Sequence, residues 1–353
     1  MKIAFTADVH LAGSEHPGRL AALEDILVQA SERGAEKVIV AGDLFDASRR
    51  VYSDFEALCD QTRFECLEIY VIPGNHDWDI TPEDFTPERL RVIAEPQLMQ
   101  LDDTGLDFLF VPYVEDRALG EEIAPFANRL SANRWILIGH GDWSEALRSP
   151  NPYEPGTYMP LTRLDIETYQ PAIAFLGHIH KPVDGQKVHY PGSPYPLNIS
   201  EVGHRRFLTL DTHTLAVESA TVDTDVIYFD ERFVVVPVQD EEGYLRDKIS
   251  QRLAGWNITD DDKQKVQVRL RVTGYSSDRS RVARVLEDTF SSFHLYRGEG
   301  ADLSDLRVSR DVGRQSIAER TGVKIGDLDW PARPGEPTYD DILLEALRLI
   351  YET

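Results

Sequence analysis

The chain repeats one local pattern five times before residue 181: a short apolar run stops at a Gly or Asp, and a residue able to hold a metal follows at once. Lys2-Ile3-Ala4-Phe5-Thr6-Ala7 precedes Asp8-Val9-His10, and Lys37-Val38-Ile39-Val40-Ala41 precedes Gly42-Asp43. Glu68-Ile69-Tyr70-Val71-Ile72-Pro73 precedes Gly74-Asn75-His76-Asp77, Trp135-Ile136-Leu137-Ile138 precedes Gly139-His140, and Ile173-Ala174-Phe175-Leu176 precedes Gly177-His178-Ile179-His180. Near-continuous apolar runs of this length fit strands buried on both faces, and Gly lets the chain turn sharply to present the next side chain. Five strands ending at one rim predict an α/β sheet with its ligand site at the carboxyl ends.

The side chains at that rim are carboxylate, amide and imidazole with no thiolate, a set that suits Mn, Fe or Mg better than a closed structural zinc site. Two metals sharing a bridging carboxylate are a standard device for splitting a phosphoester. Taken singly, a buried Asp is more often a cap or turn former, and a His after Gly more often a satisfied core or surface residue. The joint pattern reverses those odds. Five of the ten histidines fall inside the repeated segments; His16, His189, His204, His213 and His294 do not and read as structural or solvated.

In order and spacing the five segments resemble the motifs of the calcineurin-like metallophosphoesterase superfamily. The Gly-Asp-Leu-Phe-Asp form at residues 42 to 46 and the Pro191-Gly192-Ser193-Pro194 loop are most similar to those of its DNA-repair nucleases of the SbcCD type, including phage recombination nuclease subunits. The resemblance covers roughly the first two thirds of the chain. It implies a four-layer αββα sandwich, with Asp8, His10 and His180 on one metal, Asn75, His140 and His178 on the other, and Asp43 bridging them. His76 is implied as the catalytic group that contacts the phosphoester and protonates the leaving oxygen, which suits a ring titrating near neutral pH. Asp46 matches the position that orients this histidine in related phosphatases, where archaeal and eukaryotic recombination nucleases usually carry His.

Composition bears on substrate and compartment. The 61 acidic and 37 basic residues give a formal charge of −24, the wrong sign for a free-standing DNA binder. A partner and the metals must then supply attraction, or the substrate is not DNA. Arg19, Arg49, Arg50, Lys181, Arg205 and Arg206 fall in or near the motif loops as candidate phosphate contacts, each competing with an ordinary solvated role. Cys59 and Cys66 match no redox or zinc motif and fit a reducing compartment. No apolar stretch approaches the roughly 20 residues needed to cross a bilayer, so a soluble, cytoplasmic protein with no membrane partner is expected.

Helical spacing predicts helices over Arg19 to Arg33 and Tyr52 to Arg63. Residues 151–159, rich in Pro, Gly and Tyr, read as a loop that faces substrate or merely connects. From Asp184 to about Val226 short strands, Arg206 to Leu210 and Ala216 to Ala220, are expected to complete the second sheet, which closes a nuclease domain over 1–226. Over 227–310 a strand at Phe233 to Val238, a helix from Glu241 to Leu253, a strand from Val266 to Val272, a Gly-Tyr-Ser-Ser turn and a helix carrying Val282, Val285, Leu286 and Phe290 predict a small two-layer α/β domain. It resembles the family's capping domain, which restricts the DNA ends that enter. Over 311–353 the regularity fades into a linker marked by Pro331, Pro334, Gly335 and Pro337, followed by an amphipathic helix from Asp340 to Tyr351. So short a helix needs a surface to bury its apolar face. That surface is its own body or, by resemblance, the coiled-coil base of an SbcC-like ABC-type ATPase, bound helix-in-groove.

The expectation is thus a metal-dependent DNA exonuclease and endonuclease, with two divalent ions, most fittingly Mn²⁺ and otherwise Mg²⁺ or Fe²⁺, and a water activated by the pair. It would act with a coiled-coil ATPase in recombination and DNA end processing, and the resemblance allows a homodimer. The alternatives are a phosphatase or phosphodiesterase for small molecules on the same fold, and a catalytically silent scaffold.

Overall fold

Strands Lys2–Thr6, Ala35–Ala41, Glu68–Ile72 and Leu90–Val92 lie side by side in parallel. The structure is a computed structural model and describes residues 1–47, 50–144, 156–330 and 336–352. A second sheet carries Asp107–Val111, Trp135–His140, Ile173–Gly177 and Val188–Tyr190 in parallel, with antiparallel strands Gln97–Gln100 and Val183–Asp184 at its edges.

Alternation of side chains sorts these strands into layers. Ile3, Phe5, Ile39, Ala41 and Ile72 of the first sheet meet Phe108, Phe110, Ile136, Ile138 and Phe175 of the second in one buried cluster. At its centre the rings of Phe5 and Phe175 stack at 3.8 Å and 13°. On the outer face of the first sheet, Ala4, Val38 and Val40 receive Ala22, Leu23, Ile26, Leu27 and Ala30 from helix Pro17–Glu32. Outside the second, Leu109, Leu137 and Leu176 receive Leu119 and Ile123 from helix Leu119–Ile123. The order is helix, sheet, sheet, helix, the four-layer αββα arrangement.

The last two strands of this unit correct the sequence reading. Arg206–Asp211 and Val217–Thr221 join the first sheet and not the second, with Arg206–Asp211 antiparallel to Lys2–Thr6. Lys2–Thr6 has Ala35–Ala41 on one side only, so its other edge would carry unpaired backbone groups. There Phe207 enters the outer core while Leu208 and Leu210 enter the inter-sheet core.

Two compact units divide the chain: Met1–Leu197 with His204–Asp225, and Asn198–Gly203 with Val226–Thr353. In the second, strands Ile227–Val235, Val266–Ser276, His294–Leu295 and Leu306–Val308 form a parallel sheet. The first of these begins before Phe233, and Gly274 to Ser276, read above as a turn, continue the second strand. Phe229, Phe233, Val235, Val268 and Val272 pack against Leu245, Ile249, Val282, Val285 and Leu286 from helices Glu241–Ala254 and Arg279–Phe290.

This unit has three layers, one more than expected. Val234 and Tyr275 point to the other face of the sheet, where Ala318 and Ile325 of helix Val312–Gly326 and Leu343 and Leu347 of helix Tyr339–Glu352 cover them. The terminal helix therefore buries its apolar side on its own body, and residues 312–326 form a helix where the sequence suggested none. Pro331, Pro334 and Gly335 of the expected linker lie outside the described residues. Among the described residues, no helix is long and apolar enough to cross a membrane.

Candidate metal centre

All five ligand-bearing loops leave the carboxyl ends of parallel strands, three in the first sheet and two in the second. Strand Lys2–Thr6 delivers Asp8 and His10, Ala35–Ala41 delivers Asp43, and Glu68–Ile72 delivers Asn75 and His76. His140 ends Trp135–His140, while His178 and His180 follow Ile173–Gly177. Turning the chain so abruptly puts Asp8, His10, Asp43 and His178 at φ of 55°, 51°, 52° and 94°. Left-handed backbone at a non-glycine residue costs about 1–3 kcal/mol and persists where the surroundings impose it, characteristically at functional sites. The loops hold one another through backbone bonds, Asp8 N to Gly42 O at 3.1 Å and His10 N to Asp43 O at 3.0 Å.

Two groups of donor atoms result, with Asp43 between them. In the first, Asp8, His10 and His180 converge within 4.8 Å, and His10 Nε2 faces His180 Nε2 at 3.2 Å. In the second, Asn75 Oδ1 lies 2.9 Å from His140 Nε2 and 3.1 Å from His178 Nδ1. Asp43 Oδ2 is 3.7 Å from His10 Nε2 and 3.4 Å from His140 Nε2, so it reaches both groups. The other oxygen, Oδ1, accepts from the His76 backbone N–H at 2.8 Å, and the His76 ring lies edge-on to His10 at 4.7 Å.

The electrostatics fit a cation pair. A carbonyl oxygen only accepts, so His140 Nδ1, 2.9 Å from Ala41 O, carries a hydrogen, and Nε2 is left facing the oxygens of Asn75 and Asp43. Burial opposes charge on the His140 ring, but Asp43, joined by Asp8 and the Ala41 carbonyl, pushes the ring up to about 10. Burial likewise works against ionising Asp43, yet His140, with His10 and His76 behind it, holds that carboxyl far below the usual carboxylate range. Burial pushes the His10 ring down to about 3, keeping it neutral and able to donate a lone pair. Burial raises the Asp8 carboxyl to about 6, and Asp8 Oδ2 is enclosed without a hydrogen-bond partner. Enclosed acceptors facing one another at these distances suit divalent ions.

Other side chains aim the loops. Asp77, fully buried, accepts from Gly74 N at 2.7 Å and Phe45 N at 3.0 Å, clamping the Asn75 loop to the Asp43 loop. Asp142, also buried, places Oδ1 3.5 Å from His178 Nε2 and accepts from Tyr158 N at 2.7 Å. In the sequence Asp77 stands out only as part of its motif, and Asp142 carries no local signal. Asp46 accepts from Arg19 Nη1 at 3.3 Å.

The cationic candidates are largely redirected. Arg19 is 8% exposed and donates to His10 O at 2.6 Å as well as to Asp46. Arg205, 1% exposed, donates to Ser193 O and to His180 O, which fixes the His180 loop from inside the fold. Arg206 is bidentate on Asp184 at 2.7 and 2.9 Å, and Arg50 pairs with Asp79. Burial was not visible in the sequence, and acidic neighbours outcompete solvent for these guanidinium groups. Lys181 is exposed, and Arg49 lies outside the described residues, as do residues 151–155 of the Pro-rich loop.

Residues 1–182 match the calcineurin-like phosphoesterase family. The chain is 27% identical over 272 residues to the D component of the nuclease SbcCD from Rhodobacter capsulatus, covering 60% of this chain and 66% of that one. It is 25% identical over 241 residues to the DNA double-strand break repair protein Mre11 of Methanopyrus kandleri, covering 58% and 51%. The chain thus spans less than two thirds of the length of either relative. A solved structure, TT1561 of Thermus thermophilus, is 16% identical with a TM-score of 0.40, covering 63% of this chain and 99% of that one.

Proposed function

We propose that this chain, which belongs to the calcineurin-like phosphoesterase family, is a metal-dependent DNA nuclease with exonuclease and endonuclease activity. The observation that carries the reading is the pair of donor groups joined by Asp43, with His76 beside it. Asp8, His10 and His180 would hold one divalent ion and Asn75, His140 and His178 the other, with Mn²⁺ the best match to this oxygen and imidazole set. When bound, such a pair supplies charge to polarise the phosphoester and activate water. Asp43 keeps the two groups in register, and Ala41 O fixes the His140 ring. His76 donates the proton to the leaving oxygen, with Asp46 orienting it. Support for DNA as the substrate comes from two relatives, named as part of a nuclease and as a DNA double-strand break repair protein.

A coiled-coil ATPase is the partner proposed for the second unit, whose outward apolar residues include Leu349, 61% exposed, on the terminal helix. The setting is recombination and DNA end processing in the cytoplasm.

The test is cleavage of end-labelled linear DNA in Mn²⁺ by wild type and His76→Ala, with bis-p-nitrophenyl phosphate alongside. His76→Ala should retain the bound Mn²⁺ of the wild type and lose DNA cleavage by about 10²–10⁴-fold, the usual span for a general acid. A wild type that hydrolyses the small ester and leaves DNA intact, alone and with its partner, would overturn the nuclease reading in favour of a small-molecule phosphodiesterase. The formal charge of −24 favours that second reading.

A further inference from the structure

We propose that Trp78, with Tyr113 and Tyr158 at the second donor group, forms stacking platforms that grip unpaired bases of the strand being cut. The inference rests on the nuclease reading and adds to it the side chains that hold the substrate's bases.

Trp78 is two residues beyond His76 and 66% exposed. Its backbone is fixed: Asp77 on one side is clamped to Gly74 and Phe45, and Ile80, fully buried, bonds back to Asp77 O at 3.0 Å. The clamped loop that presents His76 thus also carries, two residues on, a large indole exposed to water. At the second donor group, the Tyr158 ring lies 4.7 Å from the His178 ring, and the Tyr113 ring 6.4 Å from His140 and 6.3 Å from Tyr158. Tyr113 is anchored through its N–H to Pro73 O at 3.0 Å. Both tyrosines are half-buried, so each keeps an accessible part.

Charge offers less here: of the six candidate cations, Lys181 is the one exposed among the described residues. Arg19, Arg205, Arg206 and Arg50 are buried or held by carboxylates and carbonyls, and the chain is strongly acidic. Nucleic-acid affinity that does not come from Lys and Arg has stacking as its main remaining source, and it requires bases out of the duplex. A base on an aromatic platform contributes about 5- to 150-fold in affinity.

The experiment compares a single-stranded oligonucleotide with one of the same length whose terminal stretch is abasic, measuring kcat and KM in Mn²⁺ for wild type, Trp78→Ala and Trp78→Phe. Wild type should favour the intact strand by about 5- to 150-fold, chiefly through KM. Trp78→Ala should lose most of that preference and Trp78→Phe should retain it. Equal cleavage of intact and abasic strands by wild type, or an undiminished preference in Trp78→Ala, would overturn the stacking proposal and leave the nuclease reading standing. No cleavage of any DNA would overturn both.

Discussion

His140 Nδ1 lies 2.9 Å from the carbonyl oxygen of Ala41, so a side chain from one sheet is aimed by the backbone of the other. The approach leaves no room for a methyl group. A Cβ on Gly177 would sit 2.0 Å from Ala41 O and 2.8 Å from His140 Nδ1. Backbone cannot yield as a flexible side chain does, so Gly177→Ala should destabilise the fold by about 1–3 kcal/mol and weaken Mn²⁺ binding together with it. Thermal unfolding and a Mn²⁺ titration check this; an unchanged melting temperature and affinity would mean that the two sheets adjust independently.

Asp142 is placed to orient His178 without reaching the second donor group itself. Its Oδ1 is 3.5 Å from His178 Nε2, which leaves Nδ1 turned to Asn75. Groups in this position typically contribute 10–100-fold to metal affinity. Asp142→Ala should therefore lower Mn²⁺ affinity by that order in calorimetry, while Asp142→Asn, which can still accept from Tyr158 N, should lose less. Equal affinities for all three proteins would show that the ring is aimed by its loop alone.

Asp77 clamps two loops with one carboxylate. Replacing it with Ala leaves two buried N–H groups, of Gly74 and Phe45, without an acceptor. At about 1–3 kcal/mol for each such group, Asp77→Ala should cost roughly 2–6 kcal/mol of stability, read as a shift in the denaturant midpoint. Asn in its place should recover part of the loss, because one oxygen can still accept.

These aspartates mark where sequence reasoning stops. Asp8, Asp43, Asn75, His140 and His178 were legible because strand, turn and side chain are contiguous in the chain, and that grammar is local. Asp77 works on Phe45 and Arg205 on His180, so their roles depend on which loops the fold brings together. The strand Arg206–Asp211 was recognisable by its alternation, but nothing local specifies which of two sheets offers it an edge. Helix Val312–Gly326 has a weak sequence signal for a different reason. Gly313, Gly322 and Gly326 lower its intrinsic propensity, and its buried residues, Ala318 and Ile325, gain their value only against the terminal helix.

Buried acids should make the protein sensitive to alkali. Burial pushes the Cys59 thiol up to about 12 and the Tyr190 hydroxyl well above its ordinary value. In the unfolded chain the same groups release protons near pH 8.5 and 10. Below about pH 8.5 both are protonated in either state and contribute no pH dependence; above it the unfolded state binds fewer protons, so stability falls as pH rises toward 12. Melting temperatures of metal-free protein between pH 8 and 11 should decline, and a flat profile would contradict the burial of these groups. At pH 8 a thiol reagent should label exposed Cys66 in the native protein and both cysteines in denaturant.

The terminal helix separates stability from partner binding on two neighbouring leucines. Leu347 is fully buried against the second unit's sheet and Leu349 is 61% exposed. The helix is also tied down by Arg314 Nη1 donating to Tyr351 O at 2.6 Å and by Tyr275 donating to Glu352 at 2.8 Å. Leu347→Ala removes core volume and should cost about 2–5 kcal/mol, whereas Leu349→Asp changes a solvated position and should stay within about 0.5 kcal/mol. If the outward face of this helix grips a coiled-coil ATPase, Leu349→Asp should abolish co-purification with that partner while leaving the melting temperature in place. A substitution at Leu349 that lowers the melting temperature as much as Leu347→Ala would place that face inside the fold and remove it as a docking surface.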